Sequence, residues 1–176
     1  MLIEPKIDGC AIALQYRNGN LEKAITRKGT DVTSKIAKIQ DIPNQLPIQG
    51  IFQVRGELYA PNKAPNFSQR IASGFLRARE GSGEGISFCS FQILNSRLNQ
   101  HEAKKHLKKL SFSTPKDVYC NFTSQVQIFR KQWLDKKLFT EYPTDGIVVK
   151  INSRKLQLIR EKSIGVYPHW AMAIKY

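Results

Sequence analysis

Residues 11–16 alternate in character, the string Asn18-Gly19-Asn20 follows, and residues 21–27 read as the returning strand. Asn and Gly tolerate the positive φ that a tight hairpin turn demands, and a period of two sends alternate side chains to one face of a sheet. The chain is therefore predicted to open on an antiparallel hairpin. That beginning constrains the fold more than any other local signal, because a parallel doubly wound sheet opens on a strand-helix-strand unit instead.

The rest of the chain agrees with an antiparallel start. Residues 31–40 carry Val32, Ile36 and Ile39 on one helical face, and Pro43 and Pro47 then break the pattern. Residues 51–59 read as a strand, 61–69 as a loop, 70–79 as a short helix or ordered loop, and 87–94 as another strand. Gly81, Gly83 and Gly85 make a flexible polar link. Residues 101–110 predict a helix that buries Ala103, Leu107 and Leu110 and points its lysines outward. Residues 124–138 predict a stronger one, with Val126, Phe129 and Trp133 on one face and Thr123 or Ser124 as its cap. Strands at 144–152 and 170–176 close the chain. No internal repeat is visible. Strands separated by helices of uneven length imply an α+β fold of mainly antiparallel sheets flanked by helices, with residues 1–176 as one domain.

Lys and Arg number 28 against 14 Asp and Glu, a formal net charge of +14. A chain this basic implies a polyanionic partner, nucleic acid being the commonest. No stretch is long and apolar enough to span a bilayer, and no apolar leader opens the chain, so a cytoplasmic setting is expected. Cys10, Cys89 and Cys120 lie far apart, which points to isolated thiols and away from a metal knuckle or disulfide framework. His101, His106 and His169 show no ligand-like grouping.

The chemistry concentrates at Glu4-Pro5-Lys6-Ile7-Asp8-Gly9. A lysine in a tight acidic and glycine setting, just before a strand, is a candidate covalent nucleophile. Only about one free lysine in two thousand is neutral at pH 7, so a working nucleophile needs a depressed pKa, which neighbouring cations supply. Alone, the string is as well explained by a surface lysine. Four further strings follow it in order: Val54-Arg55-Gly56-Glu57-Leu58, Ser90-Phe91-Gln92-Ile93, Thr144-Asp145-Gly146-Ile147-Val148-Val149-Lys150, and Trp170-Ala171-Met172-Ala173-Ile174-Lys175-Tyr176.

In that order the strings resemble the motifs of the covalent nucleotidyltransferases, the superfamily of DNA ligases, RNA ligases and mRNA capping enzymes, with a nucleotide cleft between sheets. Glu4-Pro5 before the lysine and Val54-Arg55-Gly56-Glu57 resemble the bacterial NAD-dependent DNA ligases, as do Thr26-Arg27, the segment from Arg70 to Ser73-Gly74-Phe75-Leu76-Arg77, and Tyr167-Pro168-His169-Trp170. The resemblance implies that Lys6 attacks the α-phosphate of NAD and holds AMP as a phosphoramidate. It implies that Glu4 faces the adenine amino group, that Arg27 and Glu57 contact the ribose, and that Phe91 stacks on adenine. Lys150 and Lys175 are implied as phosphate contacts and Asp8 as a neighbour of the reacting centre. Physical chemistry agrees: two lysines beside Lys6 depress its pKa and stabilise phosphoryl charge. Mg²⁺ is expected to be held through phosphate and water, with no protein metal site. Arg70 and Arg77 are expected to reach a nicked duplex. Lys104, Lys105, Lys108 and Lys109 either follow a DNA backbone or form a solvated face.

The chain departs from the pattern in places. The family's glycine-rich loop is cut to Lys28-Gly29-Thr30-Asp31, Ile71 replaces an asparagine, and His169 stands where arginine is usual. Relative to the family, the nicotinamide-binding subdomain and the OB-fold are expected to be absent, so the match is expected to be an adenylation domain truncated at both ends, monomeric and working with separate ligase modules. Two alternatives stand beside it: an ATP- or GTP-using nucleotidyltransferase, and a catalytically silent, basic DNA-binding remnant.

Overall fold

The computed structural model describes residues 1–161 and 168–175. β1 (Leu2–Ile7) passes through Asp8 and Gly9 into the hairpin β2 (Cys10–Arg17) and β3 (Asn20–Thr26), closed by Asn18 and Gly19, both at positive φ. There follow α1 (Thr33–Ile36), β4 (Ile51–Tyr59), α2 (Pro65–Arg77), β5 (Ser87–Ile93) and α3 (Gln100–Lys109). Then come β6 (Val118–Tyr119), α4 (Gln125–Leu134), β7 (Thr144–Lys150), α5 (Arg154–Arg160) and β8 (Ala171–Ile174). The strands form two sheets, ordered β6-β1-β7-β8 and β3-β2-β4-β5, and every neighbouring pair is antiparallel. The α+β expectation holds.

Each sheet buries one face under helices. Ile12, Leu14, Tyr16, Val54, Leu58 and Phe88 of the second sheet pack with Ile36, Ala103 and Leu107 from α1 and α3. Ile3, Ile147 and Val149 of the first sheet pack with Val126 and Trp133 of α4. Because strand side chains alternate, the opposite faces carry Glu4, Lys6 and Lys150 on the first sheet and Glu57, Cys89 and Phe91 on the second. Those faces meet at a cleft. Asp8-Gly9 links the sheets, and a Cβ on Gly9 would collide with the carbonyl oxygen of Leu58, so only glycine fits the crossing.

Several element boundaries differ from the sequence expectation. Residues 31–40 bury Val32, Ile36 and Ile39 as predicted, but only one α-turn forms, and i→i+3 bonds carry the chain on to Ile42. Helix α2 starts at Pro65, inside the predicted loop, with proline where its missing N–H costs nothing. The helix predicted over 124–138 stops at Leu134, and neither Thr123 nor Ser124 caps it by a side-chain bond; the Gln125 side chain instead accepts from the amides of Asn121 and Phe122. The lysines of α3 do not all face outward, since Lys104 is buried. Tyr167 and Tyr176, the ends of two quoted strings, lie outside the described residues.

Candidate active site

At the open end of the cleft one carboxylate joins two lysines. Lys6 Nζ donates to Asp145 Oδ1 at 2.7 Å, and Lys175 Nζ lies 2.7 Å from Asp145 Oδ2. Three strands deliver these groups: β1 carries Lys6, β7 carries Asp145, and Lys175 directly follows β8. Gly146 permits the close β7–β8 approach, because a Cβ there would meet the carbonyl oxygen of Ile174. Burial raises the Asp145 carboxyl, yet hydrogen bonds from Lys175 and Lys6 outweigh it and leave the pKa below its ordinary value. The bond to Asp145 raises Lys175.

Two more carboxyls complete this cluster. Burial, reinforced by the charge of Asp145, raises Asp8 against the pull of Lys6 and Lys175. Glu57, on β4, is pushed up to about 8, first by burial and then by Asp8 and Asp145, while Lys6 and the Gly9 amide act against the rise. Burial thus favours the protonated form of Glu57. The expected ring of cations around Lys6 is not what forms: its direct partner is a carboxylate, and Lys150 is engaged elsewhere.

Deeper in the cleft, Glu4 is 1% exposed and Lys150 is 6% exposed. Lys150 Nζ donates to Glu4 Oε2 at 2.6 Å and to the Phe91 carbonyl at 3.3 Å, and it sits 5.0 Å from the Phe91 ring centroid. Lys104 Nζ, from α3, lies 3.2 Å from Glu4 Oε1 and 3.1 Å from Asp117 Oδ2. Asp117 in turn faces His101 Nδ1 at 3.5 Å. The structure thus joins Glu4, Lys150 and Phe91 in one place, but with Glu4 and Lys150 paired to each other.

The remaining predicted residues lie around this core. Arg27 is exposed, one residue beyond β3, in a short loop held by Gly29 N–H to Thr26 O at 2.9 Å and Thr26 N–H to Thr30 O at 2.9 Å. Thr26 pairs with Ile12, which sets Arg27 at the same sheet end as Glu57, itself paired with Ala11. Arg70 and Arg77 are exposed on α2. Arg77 Nε donates to Ser73 O at 3.3 Å, and its charge reaches Cys10, whose thiol burial nevertheless pushes up to about 11. Among the described residues no group of three or more His, Cys, Asp or Glu side chains is arranged to hold a metal ion.

Sequence reasoning missed Asp145, Lys104 and Asp117 as members of these clusters. For Lys104 a signal existed. Gln100, Ala103, Lys104 and Leu107 are the buried residues of α3, an i, i+3, i+4, i+7 stripe that periodicity alone would have placed inward.

Two antiparallel sheets meeting at a cleft, with the lysine of a Lys-x-Asp-Gly string on one wall, define the class as a ligase-type nucleotidyltransferase fold. A structure from work on Lig E DNA ligases, described as DNA binding with a minimal scaffold, aligns with a TM-score of 0.62 over 99% of this chain and 61% of its own, at 11% identity. The ATP-dependent DNA ligase of bacteriophage T7 in complex with ATP aligns with a TM-score of 0.56 over 86% of this chain and 57% of its own, at 12% identity. Such identities establish the fold alone. The chain belongs to the NAD-dependent DNA ligase adenylation domain family, whose model matches residues 1–176. It is 31% identical to the DNA ligase of Metamycoplasma arthritidis over 204 residues, covering 99% of this chain and 30% of that protein. The DNA ligase of Borrelia garinii subsp. bavariensis is 34% identical over 204 residues, with the same coverage of 99% and 30%. The chain spans about 30% of the length of these relatives.

Proposed function

We propose that this chain performs the first step of DNA nick sealing, self-adenylation on Lys6 with NAD as donor. The reading is supported above all by the bridge from Lys6 through Asp145 to Lys175, at the mouth of a cleft whose depth holds Glu4, Lys150 and Phe91. Lys6 Nζ passes a proton by way of Asp145, the carboxylate it already touches, to water at the cleft mouth, and forms a P–N bond to the α-phosphorus. The pyrophosphate bond breaks and nicotinamide mononucleotide leaves. Lys175, released from Asp145 as the phosphates arrive, offsets their charge together with Lys150. Adenine lies against Phe91 and gives its amino hydrogens to Glu4, while Arg27 and Glu57 bind the ribose and Asp8 flanks the reacting centre. Base binding separates Lys150 from Glu4. Mg²⁺, held through the phosphates and water, would supply further charge neutralisation. The AMP then passes to the 5′-phosphate of a nick, with Arg70 and Arg77 on the duplex. The setting is cytoplasmic, and the single domain 1–176 works as a monomer with the ligase's other modules.

A basic, silent DNA-binding role is the second reading, favoured by the net charge of +14. One experiment separates the two. The chain is incubated with Mg²⁺ and labelled NAD, ATP or GTP, and label surviving denaturation is measured. Label from NAD that vanishes in Lys6→Ala is expected. Label from ATP or GTP alone reassigns the donor. No label from any donor, with salt-sensitive DNA binding, establishes the second reading.

A further inference from the structure

Lys104 is the one lysine of α3 that points into the protein, and it is 3% exposed. A capping box fixes the start of its helix: Asn99 N–H donates to Glu102 Oε2 at 3.0 Å, and the Asn99 side chain accepts from the third helical amide. The same end is tied to the exit of β7, where Gln100 N–H meets Asn152 O at 2.9 Å and His101 N–H meets Asn152 Oδ1 at 2.9 Å. Lys104 therefore enters the cleft from a rigid mount.

The two lysines on Glu4 act differently. Lys150 makes a short directed hydrogen bond to Oε2 and lies beside Phe91. Lys104 Nζ is 3.2 Å from Oε1, yet neither atom makes a directed hydrogen bond. Lys104 thus compensates the charge of Glu4 while leaving the lone pairs of Oε1 unspent. Once a base draws Lys150 away, Lys104 is the cation that remains.

We propose that Lys104 is a positioning residue for base selection, keeping Glu4 an acceptor-only carboxylate behind the base. An ionised carboxylate accepts from a 6-amino purine and repels a 6-oxo one, whereas a protonated carboxyl also donates and serves both. Once Lys150 has left, a carboxylate this deep relies on Lys104 to offset its charge. Lys104 thereby holds Glu4 in place as the acceptor the base meets, and so sets the preference for adenine over hypoxanthine. The inference rests on the adenylation reading.

The test compares labelling of the full chain by NAD and by nicotinamide hypoxanthine dinucleotide, which differ only at the 6-position, in wild type and in Lys104→Leu, Lys104→Gln and Lys104→Arg. Wild type is expected to prefer NAD. Lys104→Leu and Lys104→Gln are expected to narrow that preference about tenfold, chiefly through KM for NAD, and Lys104→Arg to restore most of it. A purely structural Lys104 would weaken both donors alike. Lys104→Gln keeps a polar group at the site and decides the matter where Lys104→Leu does not fold. An unchanged NAD preference in a cooperatively folded Lys104→Gln or Lys104→Leu overturns the role of Lys104 alone. Absence of label in wild type overturns the adenylation reading beneath it.

Discussion

Two lysine-carboxylate clusters share strands β1 and β7, use the same residue types, and differ in burial. In the outer cluster the side chains of Lys6, Asp145 and Lys175 are 27%, 18% and 59% exposed. In the inner one, those of Glu4, Lys150 and Lys104 are 2%, 7% and 4% exposed. Water screens the outer pairs, so their partners exchange at low cost. The inner pairs have given up hydration, and each loss of a partner leaves a charge with no substitute. The same chemistry thus yields a contact that opens at low cost in one place and, in the other, one that opens only when a ligand replaces the lost partner. The adenylation reading we propose puts reaction at the first cluster and recognition at the second.

The comparison breaks most readily at Glu4. Glu4→Gln preserves the volume and removes the charge that Lys150 and Lys104 share. Two ammonium groups are then buried against a neutral amide, with Asp117 as the remaining anion. A loss of about 3–5 kcal/mol is expected, the range for removing one partner from a buried pair. Urea unfolding followed by circular dichroism measures it. A loss under about 1 kcal/mol would make the inner cluster no different from a surface pair.

Much of this architecture was legible in sequence. The hairpin over β2 and β3 was visible because period-two alternation and an Asn-Gly turn act locally. The cleft was visible through the order of its strings, which carried Lys6, Glu57 and Lys150 together. β1 was not read as a strand, and the reason is physical. Both its faces are covered, so Leu2 to Pro5 show no alternation. Pro5 also argues against a strand with neighbours on both sides. The structure accommodates it because β6 pairs only with Leu2 and Ile3, and the β1–β7 register shifts between Pro5 and Ile7. Lys104 was misplaced for a different reason: its charge was read as surface despite its place on the buried stripe, because the partners that let it be buried, Glu4 and Asp117, lie far away in sequence. The 31–40 helix failed because spacing reports which side chains are buried and says little about how many turns stay α-helical.

A second, smaller effect comes from Glu57, which belongs to neither extreme. Its carboxyl is held up to about 8 against an ordinary 4.5, mainly by burial. The folded chain therefore binds this proton more tightly than the unfolded chain does. The resulting stability is fully present below about pH 4.5 and is lost as pH rises to about 8. Asp8, also raised, acts in the same sense. Asp145 is lowered from 3.8, so its contribution is present above that value and is lost only as pH falls below it. After allowance for the partial exposure of Glu57, a decline of about 2 kcal/mol across its window is expected. Glu57→Gln should flatten the curve and be the more stable protein at high pH. Parallel curves for the two proteins, from thermal melts taken at closely spaced pH values, would show that Glu57 ionises freely.

The smallest effect sharpens the comparison through salt. Lys175 reaches Asp145 with its side chain 59% exposed, so Lys175→Ala should cost about 0.5 kcal/mol or less at low ionic strength. Near 1 M salt the screening length falls to about 3 Å, comparable to the pair distance, and the difference should vanish. Screening ions do not enter the space around Glu4, so the penalty of Glu4→Gln should change little over the same range. Unfolding curves for wild type and both variants at low and high salt put the two clusters on one scale. If the Glu4→Gln penalty fell with salt as steeply as the Lys175→Ala penalty, the inner lysines would be reached by solvent ions, and Lys150 would then need no base to displace it from Glu4.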